Sequence, residues 1–360
     1  MKWGPVLALM CLTLSGCLTA ITGADGTRKG GPENEALYYS VGEVGGAGKR
    51  LIPYTTLTGY MTAAGSGTSA SMRLLAGLGE RIAPSRHPVA IAAGEGGVYV
   101  LDGRSQSLYR FRWHADGVEN STGANGGLSK PDYVRLRMLT ELEEANDVFV
   151  APDGDVFITD GKGHKVVRYD ADGRPKMEFT DAENLNHPVS VAVDSRGLRI
   201  FVADGLFDRV VVFNPQAVSL YGIGFRGDGP GGFKNIRGMV QGRNGLLYVV
   251  NGVRQQVQAY GLDGTYMGAF GQGTFSDPDG ITVDDDNRVY ISDRFNHRIL
   301  IFADGKLVEM FGRHGTKAGE FSQPGRLTYY KGLLYVVDRE NNRVQVFKVV
   351  PEKFLASGGR

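Results

Sequence analysis

Asp293-Arg294-Phe295-Asn296-His297-Arg298-Ile299-Leu300-Ile301-Phe302 and Asp338-Arg339-Glu340-Asn341-Asn342-Arg343-Val344-Gln345-Val346-Phe347 are two copies of one pattern. An apolar run ends in an acid, a polar stretch follows, and an aromatic arrives nine residues after the acid. The pattern occurs six times, with anchors at Asp102, Asp160, Asp204, Asn251, Asp293 and Asp338 and following aromatics at Phe111, Tyr169, Phe213, Tyr260, Phe302 and Phe347. Successive anchors lie 58, 44, 47, 42 and 45 residues apart. A recurrence of this length, built of short apolar runs, marks a repeat architecture.

Working outward from each anchor completes the unit. An apolar strand precedes it, often led by proline, as in Pro88-Val89-Ala90-Ile91, Pro188-Val189-Ser190-Val191 and Pro278-Asp279-Gly280-Ile281. Turn residues separate that strand from the anchor strand, as in Pro152-Asp153-Gly154, and a second turn, as in Leu262-Asp263-Gly264, follows the aromatic. A last strand such as Tyr266-Met267-Gly268-Ala269-Phe270 ends the unit. Four short antiparallel strands per unit, six times over, predict an all-β fold, a six-bladed β-propeller of four-stranded antiparallel blades. One blade cannot bury both of its faces, so the recurring aromatics are expected to pack between blades, each contributing about 1.5–3 kcal/mol on burial.

The two opening stretches closely resemble the core of NHL repeats, and 204–213, with Arg209-Val210, is also similar. Residues 160–169 carry Lys165 where that family has arginine, and the units at Asn251 and Asp102 depart further, with Gln256 and Ser107 there. The resemblance covers about 70–350 and implies the NHL-type propeller. It is nearly silent on function.

Met72-Arg73-Leu74-Leu75-Ala76-Gly77 is expected to supply the missing fourth strand of the last blade and so close the ring, with Lys353-Phe354-Leu355-Ala356 as the competitor. Residues 115–131 read as a surface loop that lengthens the first period, and 37–67 match no blade. The expected division is a signal at 1–16, a lipidated cysteine and flexible tether at 17–35, an unplaced segment at 36–71, the propeller at 72–350 and a tail at 351–360.

The N-terminus indicates export. Lys2 is followed by an apolar stretch at 6–14, too short to span a bilayer, and then by Leu14-Ser15-Gly16-Cys17. Those four residues resemble the lipobox of bacterial lipoproteins, which implies acylation of Cys17 and cleavage before it; Leu18 rather than aspartate implies sorting to the outer membrane, facing periplasm or cell surface. The cysteines are Cys11 and Cys17, so the mature domain has no disulfide. With Lys2 removed the balance is 39 basic to 39 acidic residues, which leaves no global field to attract nucleic acid. The membrane is expected as a partner only through the lipid.

Propellers bind at the ends of the central channel. Aligning the units puts Val89, Asp147, Val189, Arg237, Asp279 and Gly325 at one mouth, with Arg326 one residue on. Asp147, Arg237, Asp279 and Arg326 form the expected ligand- or partner-binding rim. His87 and His187 precede leading prolines and are the candidate metal ligands, for zinc or calcium, although no cofactor is the primary expectation. The remaining histidines, including His297 and His314, fall in or beside turns and are expected to be exposed. Asp284-Asp285-Asp286-Asn287 reads as a turn. The channel-zinc histidines of peptidyl-hydroxyglycine lyases, which such propellers resemble, fall here on Val89, Val189, Asp279 and Gly325. No calcium set like that of gluconolactonase-like propellers assembles. Phosphate loop, haem motif and nucleophile elbow are absent, so no catalytic residue is assigned. The expected function is a binding or scaffolding propeller that presents its channel mouth to an extracytoplasmic protein or envelope glycan. The alternatives are a metal-dependent lyase or lactonase, and a ligand-sensing module.

Overall fold

The computed structural model describes residues 50–57, 87–111, 133–136 and 142–350. Six four-stranded antiparallel sheets follow one another in the described chain. Blade 1 is Pro88–Gly94, Gly97–Asp102, Ser107–Phe111 and Tyr133–Leu136. Blade 2 opens with Ala145–Val150, blade 3 with Pro188–Val193, blade 4 with Ile236–Gln241, blade 5 with Pro278–Val283 and blade 6 with Pro324–Tyr330. These first strands touch one another in sequence order, and that of blade 6 touches that of blade 1, so they line a closed ring.

The nine-residue spacing has a direct cause. In every blade the anchor pairs with the residue five further on, as Asp293 does with Arg298, and the aromatic faces the start of the anchor strand, as Phe302 does Val289. The anchors are almost fully buried, yet each has work for its oxygens. Asp204 accepts from the amides of His187 behind it and of Leu206 and Phe207 ahead of it. Asp102 does the same with His87, Arg104 and Ser105. One carboxylate thus satisfies two turns whose amides have no ladder partner.

The core lies between blades, as the aromatics predict. Six buried apolar clusters each join two neighbouring blades. Tyr169 belongs to the seam of blades 1 and 2, and Phe347 to that of blades 5 and 6. Blades 6 and 1 share Val337, Val344 and Val346 with Ile91, Val100 and Tyr109.

Ring closure differs from the expected strand. Blade 6 takes its fourth strand from Arg50–Leu57, antiparallel to Arg343–Val350. The closing strand is N-terminal, as expected, but comes from the segment that matched no blade. The outermost strands of blades 2 to 5 are only partly buried, so the alternation that marks buried strands is weak in that position. Residues 72–77, 115–131 and 353–356 lie outside the described residues.

Candidate functional site

Each first strand carries one extra residue against its neighbour just inside the mouth, as the shift between Pro88 and Ala90 shows in blade 1 and that between Pro278 and Ile281 in blade 5. Such bulges break strict alternation and re-aim side chains. Two layers result. The outer is Val89, Asn146, Val189, Arg237, Asp279 and Gly325; the inner is Ala90, Asp147, Ser190, Gly238, Gly280 and Arg326.

This corrects the aligned register in blade 2. Ala145, not Asn146, pairs with the anchor Asp160, so Asp147 sits one layer deeper than its expected counterparts. Blade 2 opens at Ala145, with no leading proline to mark the start of its strand.

The four expected rim residues form one network. Arg237 lies 3.7 Å from Asp279 and 3.7 Å from Asp277. Arg326 lies 3.6 Å from Asp147 and 3.9 Å from the Asp279 carboxylate, while its Nη2 donates to the Val189 carbonyl at 2.7 Å. Blade 3 stands opposite blade 6 in a ring of six, so the Arg326 side chain spans the channel instead of standing on its rim. Glycine at 238 permits this: a Cβ there would come within 2.8 Å of the Arg326 guanidinium. The Arg326 side chain is only 12% exposed.

Arg326 separates two cavities. On the far side, one of about 80 Å³ is lined by Ile91, Val148, Val191, Met239 and Ile281 together with Asp147 and Ser190. On the mouth side, one of about 250 Å³ is lined by Asn146, His187, Arg237, Asp279, Arg326 and Arg339, with Val89 and Val189 among the rest. The residue after each anchor shapes its opening. It is glycine in blades 1–4 (Gly103, Gly161, Gly205, Gly252) and arginine in blades 5 and 6 (Arg294, Arg339). Gly161 is needed by its neighbours, since a Cβ there would meet the Asn146 amide at 2.5 Å and the His187 ring at 2.7 Å.

The two channel carboxylates are held differently. Burial pushes Asp147 above the ordinary carboxylate value, against Arg326 and hydrogen bonds from Ser190 and Val191. Burial would raise Asp279 too, but Arg326, Arg294, Arg237 and Arg339 together hold it below that value. Burial lowers the Arg237 guanidinium, though an arginine stays charged at any physiological pH.

His187 lines the mouth cavity; His87 is not among its walls. Both backbone amides are bound by anchors, Asp102 for His87 and Asp204 for His187. Among the described residues no three histidine, cysteine, aspartate or glutamate side chains are grouped to hold a metal. Asp284 to Asn287 form the expected turn, closed by the Asn287 amide on the Asp284 carbonyl at 3.1 Å. His297 departs from expectation: it is half-buried, and its Nδ1 accepts from the Gln323 amide at 3.0 Å.

The mouth face has a second feature that the repeat alignment carried unread. Because each anchor pairs with the start of its first strand, the turn after the anchor lies on the mouth face. The second residue of that turn is Leu206, Val253 and Phe295 in blades 3, 4 and 5, and Arg104, Lys162 and Glu340 in blades 1, 2 and 6. The three apolar tips are 47%, 61% and 68% exposed. Phe225, in the link from blade 3 to blade 4, is 52% exposed.

A profile of the NHL repeat matches residues 275–302 and 321–347, which run from the approach to the third strand in blades 5 and 6. No curated protein matches the chain. Solved structures with a similar fold include a catalytically inactive virginiamycin B lyase from Staphylococcus aureus with quinupristin, at 14% identity and TM-score 0.54, covering 74% of this chain and 85% of that one. An auxiliary nutrient binding protein from Bacteroides thetaiotaomicron matches at 12% identity and TM-score 0.54, over 74% of this chain and 70% of that one. A chain of a nidogen/laminin complex matches at 20% identity and TM-score 0.54, over 68% of this chain and 86% of that one. An enzyme and binding proteins share the architecture, so at these identities the likeness is one of fold. The chain is a six-bladed β-propeller, two of whose blades, the fifth and sixth, match the NHL repeat.

Proposed function

We propose that this protein is an extracytoplasmic binding propeller, tethered to the outer membrane through an acylated Cys17, which captures a partner on its mouth face. The observation that carries this reading is the division of that face. Apolar tips at Leu206, Val253 and Phe295 occupy consecutive blades beside a recessed, arginine-rich cavity. Exposed apolar side chains in one arc mark an interaction surface, and charged surroundings give it orientation. An apolar arc favours a protein over a glycan as the partner. The metal-dependent enzyme reading has less support, since among the described residues His87 and His187 are not grouped with a third ligand.

A photo-crosslinking amino acid placed at position 295 or 253 in intact cells tests this, with position 218 as the control. Val218 is equally apolar and 54% exposed, but lies in the turn between the third and fourth strands, on the opposite face. Discrete adducts are expected from 295 and 253 and not from 218, in the membrane fraction, and in the soluble fraction once Cys17→Ser removes the acylation site. Equal labelling from both faces, or none from 295 and 253, would overturn the surface. Adducts that stay with membranes in Cys17→Ser would overturn the anchor.

A further inference from the structure

We infer that the mouth cavity is a carboxylate-binding subsite in which Arg237 and Arg339 are the ligand-holding groups and Asp279 is the internal competitor that the ligand displaces electrostatically. This rests on the binding reading above and names the chemistry of its recessed part.

The two arginines differ from the others in the channel in how little the protein uses them. Arg326 is committed to Asp147, the Val189 carbonyl and the Asp279 carbonyl, and Arg294 donates to Asp277 at 2.7 Å. Arg237 has contacts no closer than 3.7 Å to either carboxylate, beyond hydrogen-bond length, and its buried Nε has no partner. Arg339 makes no ion pair within 4.0 Å among the described residues and lines the cavity. The buried Arg237 Nε is thus an unsatisfied donor beside one buried carboxylate, and Arg339 lines the same cavity. Gly252 keeps the approach open: a Cβ on it would stand 3.3 Å from the Arg237 Cγ and Nε.

Charge and shape then select the ligand. The cavity's side chains carry three arginines, Arg237, Arg326 and Arg339, against one carboxylate, Asp279. Arg326 is already paired with Asp147, so the balance left in the cavity is Arg237 and Arg339 against Asp279. That balance suits a singly charged anion, while Asp279 at the wall penalises a dianion such as phosphate. A guanidinium presents parallel N–H groups that match the two oxygens of a planar carboxylate. The opposite wall, with Val89 and Val189 beside Asn146 and His187, offers apolar contact and hydrogen bonding to the body that bears the carboxylate. About 250 Å³ admits a group of the size of one sugar ring or one amino-acid side chain. An acidic residue of a protein partner and a uronate of a glycan share this chemistry.

Arginine Nε–Hε NMR on the full chain tests the assignment, with the Arg237 and Arg339 signals identified from Arg237→Lys and Arg339→Gln. Four probes are titrated: N-acetylglutamate α-amide, glucuronate, glucose and inorganic phosphate. At least one carboxylate probe is expected to shift both signals saturably, and whichever binds more tightly identifies the source, protein or glycan. Glucose and phosphate are expected to bind at least tenfold more weakly. Arg339→Gln should weaken the carboxylate at least tenfold, and Asp279→Asn should tighten it, because it removes the competing charge. Glucose or phosphate binding as well as the carboxylates, unchanged affinity in Arg339→Gln, or no shift with either carboxylate would overturn the subsite. If crosslinks at 295 persist while no carboxylate binds, the subsite fails and the partner surface stands. Loss of those crosslinks from the unsubstituted chain's mouth face would remove the surface itself.

Discussion

At the residue scale, two aspartates of one network carry opposite consequences for stability. Asp279 lies below its ordinary value of 3.8, so its ionised form favours the fold above that pH and the benefit is lost as acid protonates it. Asp147 lies above 3.8, so its ionisation costs stability as pH rises through its folded value, and the cost persists at neutrality. Both side chains are buried, and each is near Arg326. The difference is the number of guanidiniums: four act on Asp279 and one on Asp147. At pH 7, Asp279→Asn is expected to lower unfolding free energy by about 3 kcal/mol, as removal of one member of a buried ion network does. Asp147→Asn is expected to stay within about 1 kcal/mol of the parent, since an amide oxygen can still accept from Ser190. Urea unfolding checks both, and equal losses would refute the asymmetry.

At the scale of elements, the turn after the anchor of blade 5 is fastened to the link that enters blade 6. The ring of His297 lies 4.5 Å from that of His314, and its Nδ1 accepts from the Gln323 amide. Burial lowers His297 below 6.5, and His314 lowers it further, while Asp338 and Asp293 oppose both. The unfolded chain therefore takes up the proton first, and the contribution present above 6.5 is lost as pH falls toward the folded value. Protonated Nδ1 cannot accept, so the Gln323 bond breaks in the same window. Hydrogen exchange at the Gln323 amide, corrected for intrinsic rate, is expected to accelerate as pH falls below 6.5. His314→Gln removes the like charge and should move that change to higher pH. A rate independent of pH would show that the histidine does not control the joint.

At the scale of the whole molecule, the ring is closed twice, by a packed seam and by a strand. The seam of blades 6 and 1 is apolar and resembles the five others. The strand Arg50–Leu57 joins the N-terminal part of the chain to Arg343–Val350, near the other end. Removing it leaves blade 6 with three strands and an open edge. A chain that starts at residue 58 is expected to melt roughly 10 °C below one that starts at residue 50, as loss of a few kcal/mol does in a domain of this size. Coincident melting curves would show that the seam alone closes the ring. The same closed ring is what brings Arg326 to Val189 across the channel.

The repeat was legible because it is local. Anchor, turn and aromatic sit within one hairpin, and the physical demands of that hairpin, a buried polar anchor for two turns (a carboxylate in five blades, Asn251 in the other) and an aromatic against the next blade, recur in sequence six times. The places of Arg237, Asp279 and Arg326 were legible for the same reason, since alignment of hairpins aligns their mouths. Three things were decided only by tertiary structure. The closing strand pairs residues about 300 apart, and no short-range pattern encodes such a pairing. Asp147 took its layer from a bulge and a register that blade 2, without proline, does not signal. Arg326 became a bar across the channel, and Arg339 a wall of the mouth cavity, because ring closure sets which side chains meet at the axis. Sequence determines each blade from neighbours along the chain; the site is made where six blades converge, and its geometry belongs to the ring.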